Sequence, residues 1–233
     1  MKLVFEFTKT GNLVYISHLD LARLFLRALR MSGQRPAYSH GFNPHPKMSF
    51  ALPLPLGLHS TCELLEFETD AGAEGLDGVM MAVNARLPEG MRVTACFEKP
   101  GDIPKSLASY AAASAYEFMC EGVADAPALL ASFFAQGSVR VMKKDKKTGA
   151  KSEKEIRPEM IGCRIVKDIR GRMLAETTLA AAPGQTLNPL VFFGAFCGAA
   201  GLDPEALSPI VTRTAILGAD GRPLTAMLSG TEW

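Results

Sequence analysis

The sequence predicts an α+β protein made of two tandem ferredoxin-like modules, each with the element order β-α-β-β-α-β. Two observations support this fold class: short alternating apolar segments are separated by amphipathic stretches, and the same order of segments occurs twice. We assign residues 1–107 to the first module and residues 108–233 to the second, which also carries a basic hairpin arm. With 233 residues, 48% of them hydrophobic, the chain is long enough to bury two cores.

The first half contains the elements of one module in order. Residues 3–8 alternate as a strand, and Ser17 and Asp20 fit a capping box that begins a helix, which Gly33 ends. Further strands are predicted over residues 48–52, 63–69 and 92–98, with a helix over 74–86.

The second half repeats this order after a predicted linker at residues 99–109, which contains proline and glycine. Strands are predicted over residues 113–120, 139–143, 160–167, 173–180 and 210–217, and helices over 126–136 and 188–200. This is the same module with one extra or split strand. The repeat is one of element order and not of residue identity.

Charge is distributed unevenly, although the formal net charge is only +1. Residues 1–59 have a balance of +5 and residues 138–172 one of +7, so the remainder is acidic. Two basic segments on an otherwise acidic chain indicate a local anionic partner such as nucleic acid. A merely solvated surface is the simpler alternative.

The five cysteines are scattered and form no CxxC pair, which argues against a zinc ribbon, an iron–sulfur cluster or a disulfide scaffold and favours a reducing compartment. No apolar run approaches the roughly 20 residues of a membrane span. The N-terminus is too short and too polar for a signal peptide. We therefore expect a soluble, cytoplasmic protein without membrane contact. Because GxGxxG and P-loop motifs are missing, no cofactor is predicted.

The candidate binding site lies in the N-terminal quarter, which holds all four histidines. Gly41 and two X-Pro pairs predict a stiff loop beside a helix whose arginines recur at i, i+4 and i+7. Such groups suit phosphate contacts, and Tyr38 and Phe42 offer stacking faces. The alternative is a rigid connector with incidental polar groups. The candidate ligand- or RNA-binding residues here are Arg23, Arg27, Arg30, Tyr38, His40, Asn43, His45 and Lys47.

The histidines are also candidates for acid–base chemistry. His40, His45 and His18 are the candidate catalytic residues, His18 because the helix dipole favours a neutral imidazole in the first turn. His18 is equally well explained as an ordinary helix-start residue. The histidine spacing matches no HExxH or similar motif, so no metal site is predicted.

A second basic segment, residues 143–154, is predicted to be the exposed tip of a hairpin. Its lysines Lys143, Lys144, Lys146 and Lys147 could hold a phosphate backbone in a salt-dependent manner. A generic electrostatic arm is the simpler interpretation.

Three long motifs carry a family resemblance: Ser17-His-Leu-Asp-Leu-Ala-Arg23, Tyr38-Ser-His-Gly-Phe-Asn-Pro-His-Pro-Lys-Met-Ser-Phe50 and Pro53-Leu-Pro-Leu-Gly57. They resemble the radical-SAM-linked proteins of a domain of unknown function, the 2344 family. The match is strongest over residues 1–70 and extends over nearly the whole chain. No activity is established for this family. The resemblance implies a radical SAM protein partner and a link to RNA metabolism. Since the chain has no CxxxCxxC motif to ligate a radical SAM cluster, it implies an accessory role.

Three hypotheses of function follow. The first is an accessory RNA-binding module that presents tRNA or rRNA to a radical SAM partner. The second is a metal-independent RNA endonuclease with His40 or His45 as general acid or base. The predicted tandem fold is similar to that of CRISPR RNA-processing endonucleases, but their C-terminal glycine-rich loop is not evident here, and fold does not fix function. The third is a protein-only interaction subunit that docks through residues 38–57.

Overall fold

The structure, a computed structural model, describes residues 1–70, 75–144, 149–169 and 172–229. It has a mixed α+β architecture whose strand pairs are mostly antiparallel. Two compact units are present: unit 1 comprises Met1–Ala112 with Arg213–Trp233, and unit 2 comprises Ala113–Thr212. The sequence-based division at residue 107 differs from this one, because it assigned the C-terminal segment to the second module.

Unit 1 contains four strands and two helices that match the predicted order. They are β1 (Lys2–Lys9), α1 (His18–Met31), β2 (Met48–Phe50), β3 (His59–Glu68), α2 (Gly75–Asn84) and β4 (Met91–Glu98). Strand β1 pairs antiparallel with β3 on one side and with β4 on the other, and β2 pairs antiparallel with β3. Among these four strands the order is β4-β1-β3-β2, and β3 is also a neighbour of the strand that contains Arg213–Leu217 of this unit.

Helix α1 begins where the capping motif predicts. The Asp20 amide donates to the Ser17 hydroxyl oxygen over 3.1 Å, and that hydroxyl donates to the Asp20 carboxylate over 2.7 Å. The expected capping box differs in one detail, because the carboxylate accepts from the Ser17 hydroxyl and not from its backbone N–H. The inner face of the helix packs on the sheet, where the Phe25 and Phe7 ring centroids lie 4.6 Å apart.

Side chains on the two faces of β1 pack into two different apolar clusters. Phe5 and Phe7 belong to the cluster that includes the buried face of α1, whereas Val4 belongs to a second cluster. Residues from the predicted linker and from the C-terminal segment complete the second cluster: Ile103, Leu107, Ile216, Leu224 and Leu228. Residues 99–109 are therefore an ordered part of unit 1, and the linker prediction is wrong.

Unit 2 is organised around a long central strand. Its elements are β5 (Ala113–Glu121), α3 (Ala126–Phe134), β6 (Arg140–Lys144), β7 (Lys151–Glu155), β8 (Met160–Ile169), β9 (Arg172–Ala182), β10 (Gln185–Thr186), α4 (Pro189–Ala200) and α5 (Pro204–Leu207), and β11 (Ile210–Leu217) crosses the boundary between the units. Strand β9 pairs antiparallel with β5, β8 and β10, while β6 and β7 form a separate antiparallel hairpin.

The β6–β7 hairpin corrects part of the sequence interpretation. The prediction put residues 143–154 at a hairpin tip, but β7 begins at Lys151 and pairs with β6 in regular register. Lys144 is the last residue of β6, opposite Lys151. The predicted site residues Lys146 and Lys147 lie outside the described residues. Within the described part of the chain, no helix is long and apolar enough to cross a membrane.

Candidate functional site

Residues 37–47 form an ordered hairpin and not an extended loop. The Ser39 amide donates to the His45 carbonyl and the Lys47 amide to the Ala37 carbonyl, both over 2.8 Å. The Ser39 hydroxyl also accepts from the His45 amide over 2.9 Å. Gly41 has a φ of +131°, in the region that favours glycine, so the tight turn at the tip depends on it. We refer to residues 37–47 as the tip hairpin.

The base of the tip hairpin continues the pairing of β2 with β3. Backbone hydrogen bonds join the Ala37 amide to the Glu68 carbonyl over 2.8 Å and the Glu68 amide to the Lys47 carbonyl over 3.0 Å. The Lys47 ammonium donates to the Glu68 carboxylate over 2.7 Å, and this hydrogen bond lowers the pKa of Glu68. The hairpin is therefore fixed to the sheet edge at both strands.

The tip of this hairpin projects polar and aromatic groups into solvent. His40, Asn43 and His45 are exposed, and the Phe42 side chain is fully so, at 112% of its reference area. Both faces of this ring are therefore free for stacking.

Helix α1 and the tip hairpin meet through Arg30 and Tyr38. The Arg30 guanidinium donates a hydrogen bond to the Tyr38 hydroxyl and lies 5.7 Å from the centroid of its ring. The three predicted arginines differ in their partners. Arg23 pairs with Asp20 at 3.1 Å, while exposed Arg27 makes no hydrogen bond or ion pair within the described residues.

All eight predicted binding residues of unit 1 lie on helix α1 or in the tip hairpin, and the contact between Arg30 and Tyr38 links these two elements. We call this part of unit 1 the arginine–hairpin surface. It consists of Arg23, Arg27, Arg30, Tyr38, His40, Phe42, Asn43, His45 and Lys47. Lys143 is exposed on β6 of unit 2, and the lysine arm is therefore carried by the other unit.

The remaining histidines have separate surroundings. His18 is exposed, and its ring meets Phe50 of β2 edge-on at a centroid distance of 5.0 Å. His59 is half-buried at the start of β3. Across the described ranges, no histidine ring is hydrogen-bonded to a carboxylate, and no group of three His, Cys, Asp or Glu residues is placed to hold a metal ion. The orienting partner that a general acid or base usually has is thus not seen at His40 or His45.

A buried charged cluster holds the segments that flank the site. The Lys9 ammonium donates to the Val14 and Ile16 carbonyls, each over 3.3 Å, just before α1 begins. Burial lowers the pKa of Lys9, and the charge of Glu63 opposes that shift. Arg213 donates to Glu63 over 2.9 Å and to the Pro53 carbonyl over 3.0 Å.

This cluster was not predicted from the sequence. The signal was nevertheless present, because Lys9 shares its side of β1 with Phe5 and Phe7, and Glu63 interrupts an apolar strand. An ionisable residue in phase with core residues requires a buried partner. The partner of Glu63 is Arg213, which is distant in sequence, so that only the folded structure reveals the pair.

Comparison with known proteins gives a family and no activity. A family model described as "Uncharacterized protein conserved in bacteria (DUF2344)" matches residues 2–189. No curated protein matches the chain. Among solved structures, one titled "Crystal Structure of a Cbf5-Nop10-Gar1 Complex" is similar at a TM-score of 0.44 and 8% identity, over 92% of this chain and 48% of that one. The chain thus spans about half the length of that structure's chain.

Proposed function

Since the chain belongs to the DUF2344 family of uncharacterized bacterial proteins, we propose a function from its own site: an accessory module that binds RNA, tRNA or rRNA, on the arginine–hairpin surface. The observation that carries this proposal is the contact between Arg30 and Tyr38. It brings an arginine-bearing helix face and an exposed aromatic tip together on one unit. Neither element alone would combine charge with stacking.

The available groups match the two parts of a nucleotide. Arg27 has its guanidinium free of described partners, so it can donate to a phosphate without first breaking an ion pair. Phe42 offers both ring faces, and base–aromatic stacking contributes about 1–3 kcal/mol per base. Asn43, His40 and His45 add directional hydrogen bonds. Because bases are accessible for stacking only where they are unpaired, single-stranded loops are the favoured RNA target.

The proposal includes a radical SAM protein as partner. Its support is the resemblance of the Ser17–Arg23, Tyr38–Phe50 and Pro53–Gly57 motifs to the radical-SAM-linked family, together with the lack of a CxxxCxxC motif in the chain. The module would then bind the RNA while the partner supplies the radical chemistry. Catalysis by His40 or His45 is left out of this proposal, because neither ring is oriented by a described side chain.

We also infer that unit 1 is a ferredoxin-like module. Two interleaved βαβ halves would place β1 between β3 and β4 and put β2 at the edge beside β3, and the antiparallel order β4-β1-β3-β2 agrees with this arrangement. In such a module both helices cover one sheet face, so the outer face of α1 remains free for a ligand.

The test is a titration of purified protein with a fluorescent single-stranded RNA at several salt concentrations. Because phosphate contacts release counterions, the logarithm of the binding constant should fall linearly with that of salt, by about 0.7 per contacted phosphate. Arg27→Glu should weaken binding and reduce the salt slope by about one contact. Phe42→Ala should weaken binding but leave the slope unchanged, since stacking releases no counterions.

The matched control is Arg92→Glu, which makes the same charge change at an exposed arginine. Arg92 lies on β4, at the opposite end of the order β4-β1-β3-β2 from β2 and the tip hairpin. It should bind nearly as well as the unmodified protein. Equal loss in Arg27→Glu and Arg92→Glu would mean that only net charge matters. No salt-sensitive binding at all, or full binding by Arg27→Glu and Phe42→Ala, would reject this site.

A further inference from the structure

Helix α4 of unit 2 has no polar side chain along its length, whose sequence is PLVFFGAFCGAA. Its inner side carries Phe192, Phe193 and Phe196, which are buried against the rings of Phe118 and Phe133. A helix on a protein surface normally has polar residues on its other side. Here the outer side is apolar as well, and it is open, with Val191 41% exposed.

A groove of about 500 Å³ lies along this outer side. Val191, Gly194 and Gly198 of α4 form one wall, and Val139 and Met142 at strand β6 are part of the other. Met142 is 62% exposed, so its side chain stands at the edge of the groove without a covering neighbour. The groove is thus wide and mostly apolar, and it is complete within unit 2.

Two glycines leave part of the α4 wall without side chains, although packing within unit 2 does not require glycine at these positions. A Cβ atom placed at Gly194 or Gly198 would meet nothing within 4 Å, and neither residue has a positive φ. Alanine would fit at both positions and would favour the helix. Glycine at these positions leaves space in which another chain could approach the helix backbone closely.

The β6 side of the groove adds positive charge. The described residues of the segment 138–159, which includes the β6–β7 hairpin, have six Lys or Arg against three Asp or Glu, whereas α3 and α4 contain no charged residue. Arg140 lies in the groove wall itself, where it pairs with Glu153 at 3.3 Å, and exposed Lys143 follows on the same strand. The apolar α4 wall beside the basic β6 wall is complementary to a helix that has an apolar face flanked by acidic residues.

We propose that this groove binds an acidic amphipathic helix of a partner protein. A second copy of this chain would bring its own basic hairpin to the basic wall, and like charges would oppose the contact. A nucleic acid would bind the hairpin lysines but leave the apolar α4 wall uncovered. The site is separate from the arginine–hairpin surface, and the inference does not depend on the proposed RNA-binding function.

The test uses two synthetic helical peptides of about five turns. Both have leucines at i, i+3, i+4 and i+7. One has Glu at the flanking positions, and its twin has Lys at each of them. Full-length protein should bind the acidic peptide at least about tenfold more tightly than the basic twin in fluorescence anisotropy. Gly198→Leu, which fills the groove from inside, should weaken this binding about tenfold or more.

Gly101→Leu is the matched control, because a side chain at Gly101 in unit 1 also meets open space and no positive φ is involved. It should bind like the unmodified protein, and circular dichroism should show that both variants are folded. No binding of the acidic peptide, equal binding of the two peptides, or full binding by Gly198→Leu would overturn the proposal. So would a dimer that Gly198→Leu dissociates, or a short RNA that displaces the acidic peptide from a protein with Arg27→Glu.

Discussion

Glu63 and Arg213 form the most deeply buried ion pair that the structure describes in unit 1, with side-chain exposures of 2% and 3% and a closest distance of 2.9 Å. A pair of this kind need not stabilise the fold relative to apolar residues, but the loss of one member leaves a buried charge without its counter-ion. Arg213 has the additional role of bonding the Pro53 carbonyl. It therefore links the core charge to the Pro53–Gly57 motif.

The first prediction concerns this pair. Arg213→Leu should lower the free energy of unfolding by about 3–5 kcal/mol, because Glu63 would stay buried without a cationic partner. The measurement is urea unfolding followed by circular dichroism. Arg23→Leu serves as the control, since it breaks the Arg23–Asp20 ion pair, whose side chains are 77% and 56% exposed. That change should leave the free energy of unfolding nearly unchanged, because water screens an exposed ion pair. Similar costs for the two variants would contradict the special role of Arg213.

Residue chemistry explains which parts of the site were predictable. Arg23, Arg27 and Arg30 recur with helical spacing, and the glycine and prolines of the tip hairpin restrict the backbone locally, so both features follow from short stretches of sequence. The contact of Arg30 with Tyr38 spans only eight residues. Lys9, Glu63 and Arg213 depend instead on strand pairing between distant segments, which local patterns do not specify.

At the scale of elements, the base of the β6–β7 hairpin is closed by one carboxylate. Glu155 accepts hydrogen bonds from the Ser138 hydroxyl, from the Val139 amide over 2.8 Å and from the Arg157 amide over 2.9 Å. These hydrogen bonds, that of Ser138 first, lower the pKa of Glu155 from 4.5 to about 2. Because the folded-state pKa is depressed, the stabilisation is present above pH 4.5 and is lost as the pH falls toward 2.

This linkage gives a prediction for the hairpin. In an NMR titration the amide proton shifts of Val139 and Arg157 should change with a midpoint near pH 2, well below the ordinary value of 4.5 for glutamate. Glu155→Gln should abolish this transition, because an amide side chain does not titrate, while its Oε1 can still accept from the Val139 and Arg157 amides. Glu153→Gln, on the same strand and 61% exposed, should leave the transition in place. A midpoint near 4.5 in the unmodified protein would show that the three hydrogen bonds are not maintained in solution.

Elements with a local signature were predicted well, and the others were not. Helix α1 has its cap and helix α4 has Asn188 followed by a proline, and both begin within one residue of the predicted start. Strand β7 was assigned to a hairpin tip because its sequence, KSEKE, has no apolar residue. Its strand conformation comes from pairing with β6, a partner that composition does not reveal.

At the scale of the whole molecule, the C-terminal segment returns to unit 1. Ile216, Leu224 and Leu228 are buried in the same cluster as Val4 and Leu64, and Arg213 supplies the partner of Glu63. The repeated order of elements predicts a division at residue 107, where the second set of elements begins. That order contains no information on which segments of the chain contact each other in the fold. The observed units are instead one continuous segment, Ala113–Thr212, inserted within another.

This organisation predicts which fragments fold. A fragment of residues 1–107 should be unfolded or aggregated, since it loses four buried apolar residues of the second cluster, Ala111, Ile216, Leu224 and Leu228, and leaves Glu63 buried without Arg213. A chain in which residues 1–112 are joined by a flexible linker directly to 213–233 should give a cooperative urea transition and near-native α+β circular dichroism. The same joined chain with Arg213→Leu separates the two contributions, because it restores the apolar residues but not the counter-ion. If residues 1–107 alone unfold as cooperatively as the joined chain, the C-terminal segment is dispensable and the tandem division of the sequence describes the folding units better.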